Sequence, residues 1–249
     1  MPEQKTLQKK PARYQVGTFV KTASPHVIEV LGTSRLDFAV LDAEHAPLDR
    51  AAMDLMMLAG RAAGLPLLVR IPDKNPATIL SVLDMGAAGL VVPHVDTVAD
   101  AQGVLMHAKY RGGQRGFSGS PRFAGYGTLG MKQALTAGDQ ALVICQIESP
   151  QAVENAAAIA ALPGVDGLFI GRADLALAMG IEDAKHPDVA AAADKSIAAA
   201  LAAGKLAGVF TASLAERDAY AAKGVNWFVF GSDQSLMRQA ADASAHSGS

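Results

Sequence analysis

Cysteine is nearly absent from the sequence: Cys145 is the only one, so a disulfide within the chain is excluded. Aromatic residues are scarce at 5%, whereas 50% of the residues are hydrophobic, so Ala, Val, Leu and Ile must fill most of the interior. Such a core suits β-strands covered by helices and favours an α/β fold. No apolar run approaches the length of a membrane span, which predicts a protein without membrane helices.

The sequence also lacks an excess of charge of either sign. The formal net charge is −2, with basic and acidic residues interspersed, so no single-sign face is expected for nucleic acid or anionic lipid. A small substrate, neutral or chelated to a metal, fits this balance better. The opening residues, MPEQKTLQKKPARYQ, contain no secretory hydrophobic region, and together with the single cysteine they predict a cytoplasmic protein.

Short apolar runs alternate with longer Ala-rich amphipathic stretches, and no linker divides the chain. Eight βα units predict a (β/α)8 TIM barrel in a single domain, residues 1–249, with flexible tails at about 1–13 and 241–249. A doubly wound open sheet is the alternative. The predicted strands are 15–20, 36–42, 66–70, 88–93, 142–148, 166–170, 206–210 and 226–230. The predicted helices include 49–63, 76–85, 97–109, 150–161, 188–203 and 213–223. A long Gly-rich connection, residues 110–127, is expected to be functional or disordered.

Polar residues cluster just where the predicted strands end, which is the end of a barrel that carries active sites. They are Asp42, Glu44 and His45 after strand two, Arg70 after strand three, Gln146 and Glu148 after strand five, and Asp174 after strand six. Glu148 and Asp174 come from adjacent strand ends and could hold one hard cation, Mg²⁺, Mn²⁺ or Co²⁺. The alternative is that each carboxylate caps a helix.

Alternation along residues 142–148 predicts that Gln146 and Glu148 face the barrel mouth. Cys145 then faces the helical layer and is expected to be a buried, inert thiol. His45 is a candidate proton carrier, with Asp42 holding one of its ring nitrogens; the alternative is a surface histidine. Arg70 ends a buried strand and needs an anionic partner, which could be substrate or, structurally, Glu44 or Asp42.

Six segments of the sequence resemble the class II pyruvate aldolases, typified by 4-hydroxy-2-oxoheptanedioate aldolase, within the HpcH/HpaI aldolase/citrate lyase superfamily. The similarity extends from residue 17 to about residue 239, and its motifs are specific in combination. The segments are LDAEHAPLD, VRIP, VLDMGAAGLVVPHVDT, RGFSGSPRFAGYG, QIESPQAVENAAAIAALPGVDGLFIGRADLA and FGSD.

This resemblance implies a (β/α)8 barrel in a homohexamer, a trimer of dimers in which the last helix is exchanged between partners. It implies a divalent metal held by Glu148 and Asp174, and Gln146 in the same site. It also implies catalytic roles for His45, Asp42 and Arg70, and a pyruvate carboxylate held by the backbone amides of Ala173 and Asp174.

The sequence departs from the family pattern in the loops near the expected substrate. Arg172 stands where the family more often has Pro, and Ala176 where it often has Ser. The loop around residues 120–126 reads PRFAGYG, which leaves the aldehyde preference open.

The sequence therefore predicts a metal-dependent aldolase that joins or cleaves a pyruvate-like 2-oxo acid (pyruvate or hydroxypyruvate) and an aldehyde. In this hypothesis His45 moves a proton, Arg70 stabilises the developing oxyanion and the metal polarises the carbonyl. One rival is a Schiff-base aldolase using Lys21. Others are an oxaloacetate decarboxylase or acyl-CoA lyase of the same superfamily, and a non-catalytic barrel scaffold.

Overall fold

The protein is a closed barrel of eight parallel strands surrounded by helices. The computed structural model describes residue 5 and residues 7–9 and 11–245, and its strands pair in sequence order, with β8 closing onto β1. The predicted (β/α)8 barrel is therefore confirmed, and the alternative open sheet is wrong. The strands are β1 (Gln15–Val20), β2 (Phe38–Asp42), β3 (Leu67–Arg70), β4 (Gly89–Val92), β5 (Leu142–Ile147), β6 (Gly167–Ile170), β7 (Leu206–Thr211) and β8 (Trp227–Ser232).

In the described residues, ten α-helices alternate with or follow the strands. Several begin after a polar cap: Asp49, Asn75 and Ser149 each accept a hydrogen bond from a first-turn backbone N–H. The helices are α1 (Pro25–Gly32), α2 (Arg50–Ala63), α3 (Pro76–Asp84), α4 (Val98–Ala108), α5 (Met131–Gly138), α6 (Pro150–Ala161), α7 (Arg172–Ala178), α8 (Pro187–Ala202), α9 (Leu214–Ala222) and α10 (Asp233–Ala245). None in the described part of the chain is long and apolar enough to cross a membrane.

The strands bury both faces, one inside the barrel and one against the helices. Inside, the Trp227 indole stacks on the Phe38 ring with centroids 4.5 Å apart. Gly17 makes room for this pair, since a Cβ there would lie 2.3 Å from the Phe38 ring. Cys145 lies in the outer, helix-facing layer, as predicted. Burial raises the pKa of its thiol to about 12, which fits an inert thiol.

The long connection after α4 is packed against the amino-terminal side of the barrel. Arg115 is buried there, with its guanidinium 4.6 Å from the ring centroids of both Tyr110 and Phe123 and 2.8 Å from Asp84. Arg122, in a 3-10 helix (Arg122–Gly127), donates to the carbonyl of Met85 ahead of β4. Within one chain, therefore, the 120–126 loop lies away from the strand ends that carry the predicted site.

Parts of both predicted tails contact the barrel or continue a helix. The Lys5 ammonium donates to the carbonyls of Ser34 and Leu36, and Lys9 forms an ion pair with Asp166. Helix α10 extends through Ala245, so residues 241–245 are helical. Residues 1–4, 6, 10 and 246–249 lie outside the described residues, and the flexibility of both tails stays a prediction.

Candidate active site

A cavity of about 490 Å³ opens at the carboxyl ends of the strands. Because parallel strands bring their carboxyl ends together, residues that are far apart in sequence meet at this mouth. The four residues predicted to bind substrate, Arg70, Gln146, Ala173 and Asp174, all line it. Other lining residues include Phe19, Lys21, Phe169, Arg172, Lys185, Phe210, Glu216 and Ser232.

A buried ion pair between Asp42 and Arg70 forms the floor of the site. The two residues are direct neighbours in register on β2 and β3. Arg70 donates from Nε to Asp42 Oδ1 at 2.9 Å and from Nη2 to Oδ2 at 2.8 Å, and its guanidinium lies 4.5 Å from the Phe19 ring centroid. Burial alone raises the pKa of Asp42, but the hydrogen bonds and charge of Arg70 outweigh it and hold that pKa below its usual value. The carboxylate is thus kept ionised.

The Lys21 ammonium also contacts this carboxylate, 3.1 Å from Asp42 Oδ2. Its position is set by the junction between β1 and β8, because Asp233 accepts hydrogen bonds from the backbone N–H groups of Lys21 and Thr22. Lys21 therefore lies at the mouth of the barrel, ion-paired with a buried acid.

The contact predicted between the Asp42 carboxylate and the His45 ring is not present. Asp42 instead accepts a hydrogen bond from the backbone N–H of His45 at 3.1 Å. The ring is 54% exposed, and its Nε2 lies 3.7 Å from Glu44 Oε2. The contact is absent because Arg70 and Lys21 already bind the two side-chain oxygens of Asp42. His45 follows the carboxyl end of β2, and its exposed ring is not among the residues that line the cavity.

Glu44 and His94 join the site; the sequence offered Glu44 only as a structural partner of Arg70 and gave His94 no role. Glu44 Oε2 is buried without a hydrogen-bond partner among the described residues, 3.3 Å from Arg70 Nε. Burial raises the pKa of Glu44, and the opposing charge of Arg70 does not fully offset this. The signal for Glu44 was its place in the DAEH motif after β2, and that for His94 its place after β4.

His94 bridges two acids from a strained backbone conformation. Its φ is 53°, a left-handed value that is uncommon for a residue with a side chain. Its backbone N–H donates to Glu148 Oε1 at 2.6 Å, and ring Nδ1 lies 3.0 Å from the same oxygen. Ring Nε2 lies 3.5 Å from Glu44 Oε1. The left-handed backbone of His94 is strained, so the contacts around this residue must hold it in place.

Gln146 and Glu148 face the barrel mouth, as the strand alternation predicted. The Gln146 amide donates from Nε2 to Glu148 Oε2, which leaves Gln146 Oε1 buried without a partner among the described residues. Glu148 itself is buried. Since Ser149 caps α6 instead, the capping alternative fails for Glu148.

Asp174 lies in the first turn of α7 and lines the cavity. Within the described part of the chain its carboxylate has no hydrogen bond or ion pair, and no cap bond is formed at the start of α7. No group of three or more His, Cys, Asp or Glu residues in the described ranges is arranged to hold a metal ion. A cation here would therefore depend on two carboxylates together with oxygens from water or substrate.

The chain matches the family model described as HpcH/HpaI aldolase/citrate lyase over residues 15–240. It is 36% identical over 228 residues to the 5-keto-4-deoxy-D-glucarate aldolase of Shigella dysenteriae serotype 1 (strain Sd197), covering 91% of this chain and 89% of that one. A crystal structure of a family protein from Burkholderia cenocepacia J2315 superposes with a TM-score of 0.89 at 32% identity, covering 94% and 93% of the two chains. An HpcH/HpaI aldolase from Desulfitobacterium hafniense DCB-2 gives a TM-score of 0.87 at 26% identity, covering 94% and 92%.

Proposed function

Because the chain belongs to the HpcH/HpaI aldolase/citrate lyase family, we propose that it is a metal-dependent aldolase acting on a 2-oxo acid, pyruvate or hydroxypyruvate, and an aldehyde. The observation that carries the proposal is the meeting of Arg70, Gln146 and Asp174 around one cavity, next to the buried carboxylate of Glu148. The name of the Shigella relative makes 5-keto-4-deoxy-D-glucarate the first substrate to test.

Glu148 and Asp174 are the proposed metal-holding residues. Their surroundings fit a hard cation, since the Asp174 carboxylate and the buried Gln146 Oε1 both lack partners among the described residues. Oxygen ligands of this kind suit Mg²⁺, Mn²⁺ or Co²⁺. When bound, such an ion supplies Lewis-acid polarisation of the substrate carbonyl.

Arg70 is the proposed oxyanion donor. Two of its nitrogens are engaged by Asp42, and Nη1 has no hydrogen-bond partner among the described residues, while the side chain lines the cavity. A guanidinium fixed in this way can donate to negative charge that develops on the substrate without reorganising during the reaction. Asp42 thus holds Arg70 in place.

His45 is the proposed proton carrier. It would take a proton from the methyl group of the 2-oxo acid in the synthetic direction, or from the hydroxyl in the cleavage direction. Its exposed ring lies just past the carboxyl end of β2, and Asp42 accepts a hydrogen bond from its backbone N–H. The backbone amides of Ala173 and Asp174, at the start of α7, are proposed to hold the substrate carboxylate.

The first test is pyruvate release from 5-keto-4-deoxy-D-glucarate and from 4-hydroxy-2-oxo acids of varied chain length, before and after stripping with EDTA. We expect cleavage to disappear on chelation and to return with Mn²⁺ or Mg²⁺. Full activity after thorough chelation contradicts the metal proposal. Borohydride trapping with pyruvate then tests the Schiff-base rival at Lys21, and its failure to label the chain supports the metal mechanism.

We also propose that the protein is a cytoplasmic homohexamer. Helix α10 supports assembly, because most of its residues are exposed, including Met237 at 63%, and a helix that leaves apolar side chains in water gains by docking elsewhere. Light scattering after size-exclusion chromatography should give six times the mass of one chain. A monomer at micromolar concentration contradicts this assembly.

A further inference from the structure

Arg172 joins two loops at the rim of the cavity. It is the first residue of α7, and its Nη2 donates to the Phe210 carbonyl at 2.9 Å and to Glu216 Oε1 at 2.6 Å. Its guanidinium also lies 5.0 Å from the Tyr220 ring centroid. The side chain is only 13% exposed. The loop after β6 is thereby tied to the end of β7 and to α9.

Glu216, which accepts a hydrogen bond from Arg172, is itself held by hydrogen bonds to its own loop. Glu216 Oε2 accepts a hydrogen bond from the Ala212 backbone N–H at 3.0 Å, and the Glu216 N–H donates to Ser213 Oγ at 3.2 Å. Phe210, Ala212 and Glu216 line the same cavity as Asp174, two residues after Arg172. One side chain therefore couples two neighbouring parts of the cavity wall.

We propose that Arg172 is a positioning residue that holds the turn carrying Asp174 against the β7–α9 loop. The inference rests on the proposed function, in which this turn meets the 2-oxo acid. Proline at the first helical position would restrict φ directly. In this chain a side-chain tether to Phe210 and Glu216 performs the same restriction from outside the turn.

The substitution Arg172→Pro is therefore a rescue experiment. The Arg172 backbone N–H donates no hydrogen bond within the described part of the chain, and Pro at this position removes only a donor that a helix leaves unpaired. Arg172→Ala, in contrast, removes the tether and leaves the turn unrestricted. The two variants lose the same guanidinium and differ in the freedom of the turn.

The readout is the dissociation constant of oxalate, a flat dianion shaped like the enolate of pyruvate, measured by titration calorimetry with Mg²⁺ present. Arg172→Ala should raise the dissociation constant of oxalate about tenfold, because a turn held in the wrong position contributes much less binding energy. Arg172→Pro should stay within about twofold of the parent. Arg217→Ala is the matched control: Arg217 pairs with Asp218 and stacks on Tyr14, away from the cavity, and its loss should leave oxalate binding unchanged.

Thermal unfolding of the same variants separates positioning from stability. A lower melting temperature for Arg172→Ala with unaltered oxalate affinity overturns the inference, as does a Pro variant as weak as the Ala variant. If the parent protein with Mg²⁺ binds no oxalate, the proposed function itself fails and the inference fails with it.

Discussion

Replacing Arg70 by Lys tests the central ion pair of the site. The lysine keeps the positive charge beside Asp42 but loses the fork that donates from Nε and Nη2 to both carboxylate oxygens. It also loses the planar contact with Phe19. A hydrogen bond between charged groups contributes about 1.5–3 kcal/mol. We expect the free energy of unfolding to fall by about 2 kcal/mol, less than the ~3–5 kcal/mol for a buried carboxylate that loses its partner in Arg70→Ala.

In Arg70→Lys, kcat should fall by a larger factor than the loss of unfolding free energy can explain. Removing one preorganised oxyanion donor lowers kcat by about 10²–10³, and the shorter, rotatable ammonium of Lys cannot occupy the same position. Turnover is measured as pyruvate release at saturating Mn²⁺. Stability is measured by urea unfolding followed through Trp227, the single tryptophan, which is fully buried in the barrel.

Arg115→Lys is the matched control. Arg115 is equally buried, pairs with Asp84 and stacks on two aromatic rings, but lies on the amino-terminal side of the barrel. This variant should lose stability and keep its kcat. An Arg70→Lys protein that turns over within about threefold of the parent would refute the oxyanion role. Equal losses of kcat in the two variants would show that destabilisation alone explains the effect.

Two further predictions concern stability. The pKa of Asp42 is lowered, so its contribution to the free energy of unfolding should be full above the ordinary Asp pKa of about 3.9 and be lost as the pH falls through the folded-state pKa. Urea unfolding between pH 6 and 3 should show this loss in the parent, and Asp42→Asn should flatten it; an unchanged slope would contradict the assignment. Gly17→Ala should destabilise the barrel by about 1–3 kcal/mol, because its Cβ would overlap the Phe38 ring. Gly103 lies in an exposed part of α4, with nothing within 4 Å of an added Cβ, so Gly103→Ala should raise the stability by about 0.5–1 kcal/mol. Calorimetry measures both variants, and a Gly17→Ala protein more stable than Gly103→Ala would contradict these predictions.

The position of the polar residues at one end of the barrel followed from the sequence because strand ends are local features. Apolar runs mark the strands, and the polar residues just after them, such as Arg70 and Gln146, must lie at the carboxyl end of any parallel barrel. The period of two along β5 similarly predicted that Gln146 and Glu148 share a face and that Cys145 lies on the other. Burial and alternation are properties of neighbouring residues, so they are readable without tertiary contacts.

Hydrogen-bond partners at the site, in contrast, were decided by the tertiary structure. Asp42 is three residues from His45 and 28 from Arg70, yet its carboxylate pairs with Arg70, because neighbouring strands place the two side by side in register. The bridge from His94 to Glu148 and Glu44, and the tether from Arg172 to Glu216, likewise join different βα units.

The sequence by itself thus determined the eight βα units, the end of the barrel at which the polar residues lie, and which polar residues follow the strands. Each of these depends only on spacing along one chain. Which side chain meets which depends on strand register and on how the loops fold over the rim. Those distances arise only when the barrel closes, and a single sequence does not contain them.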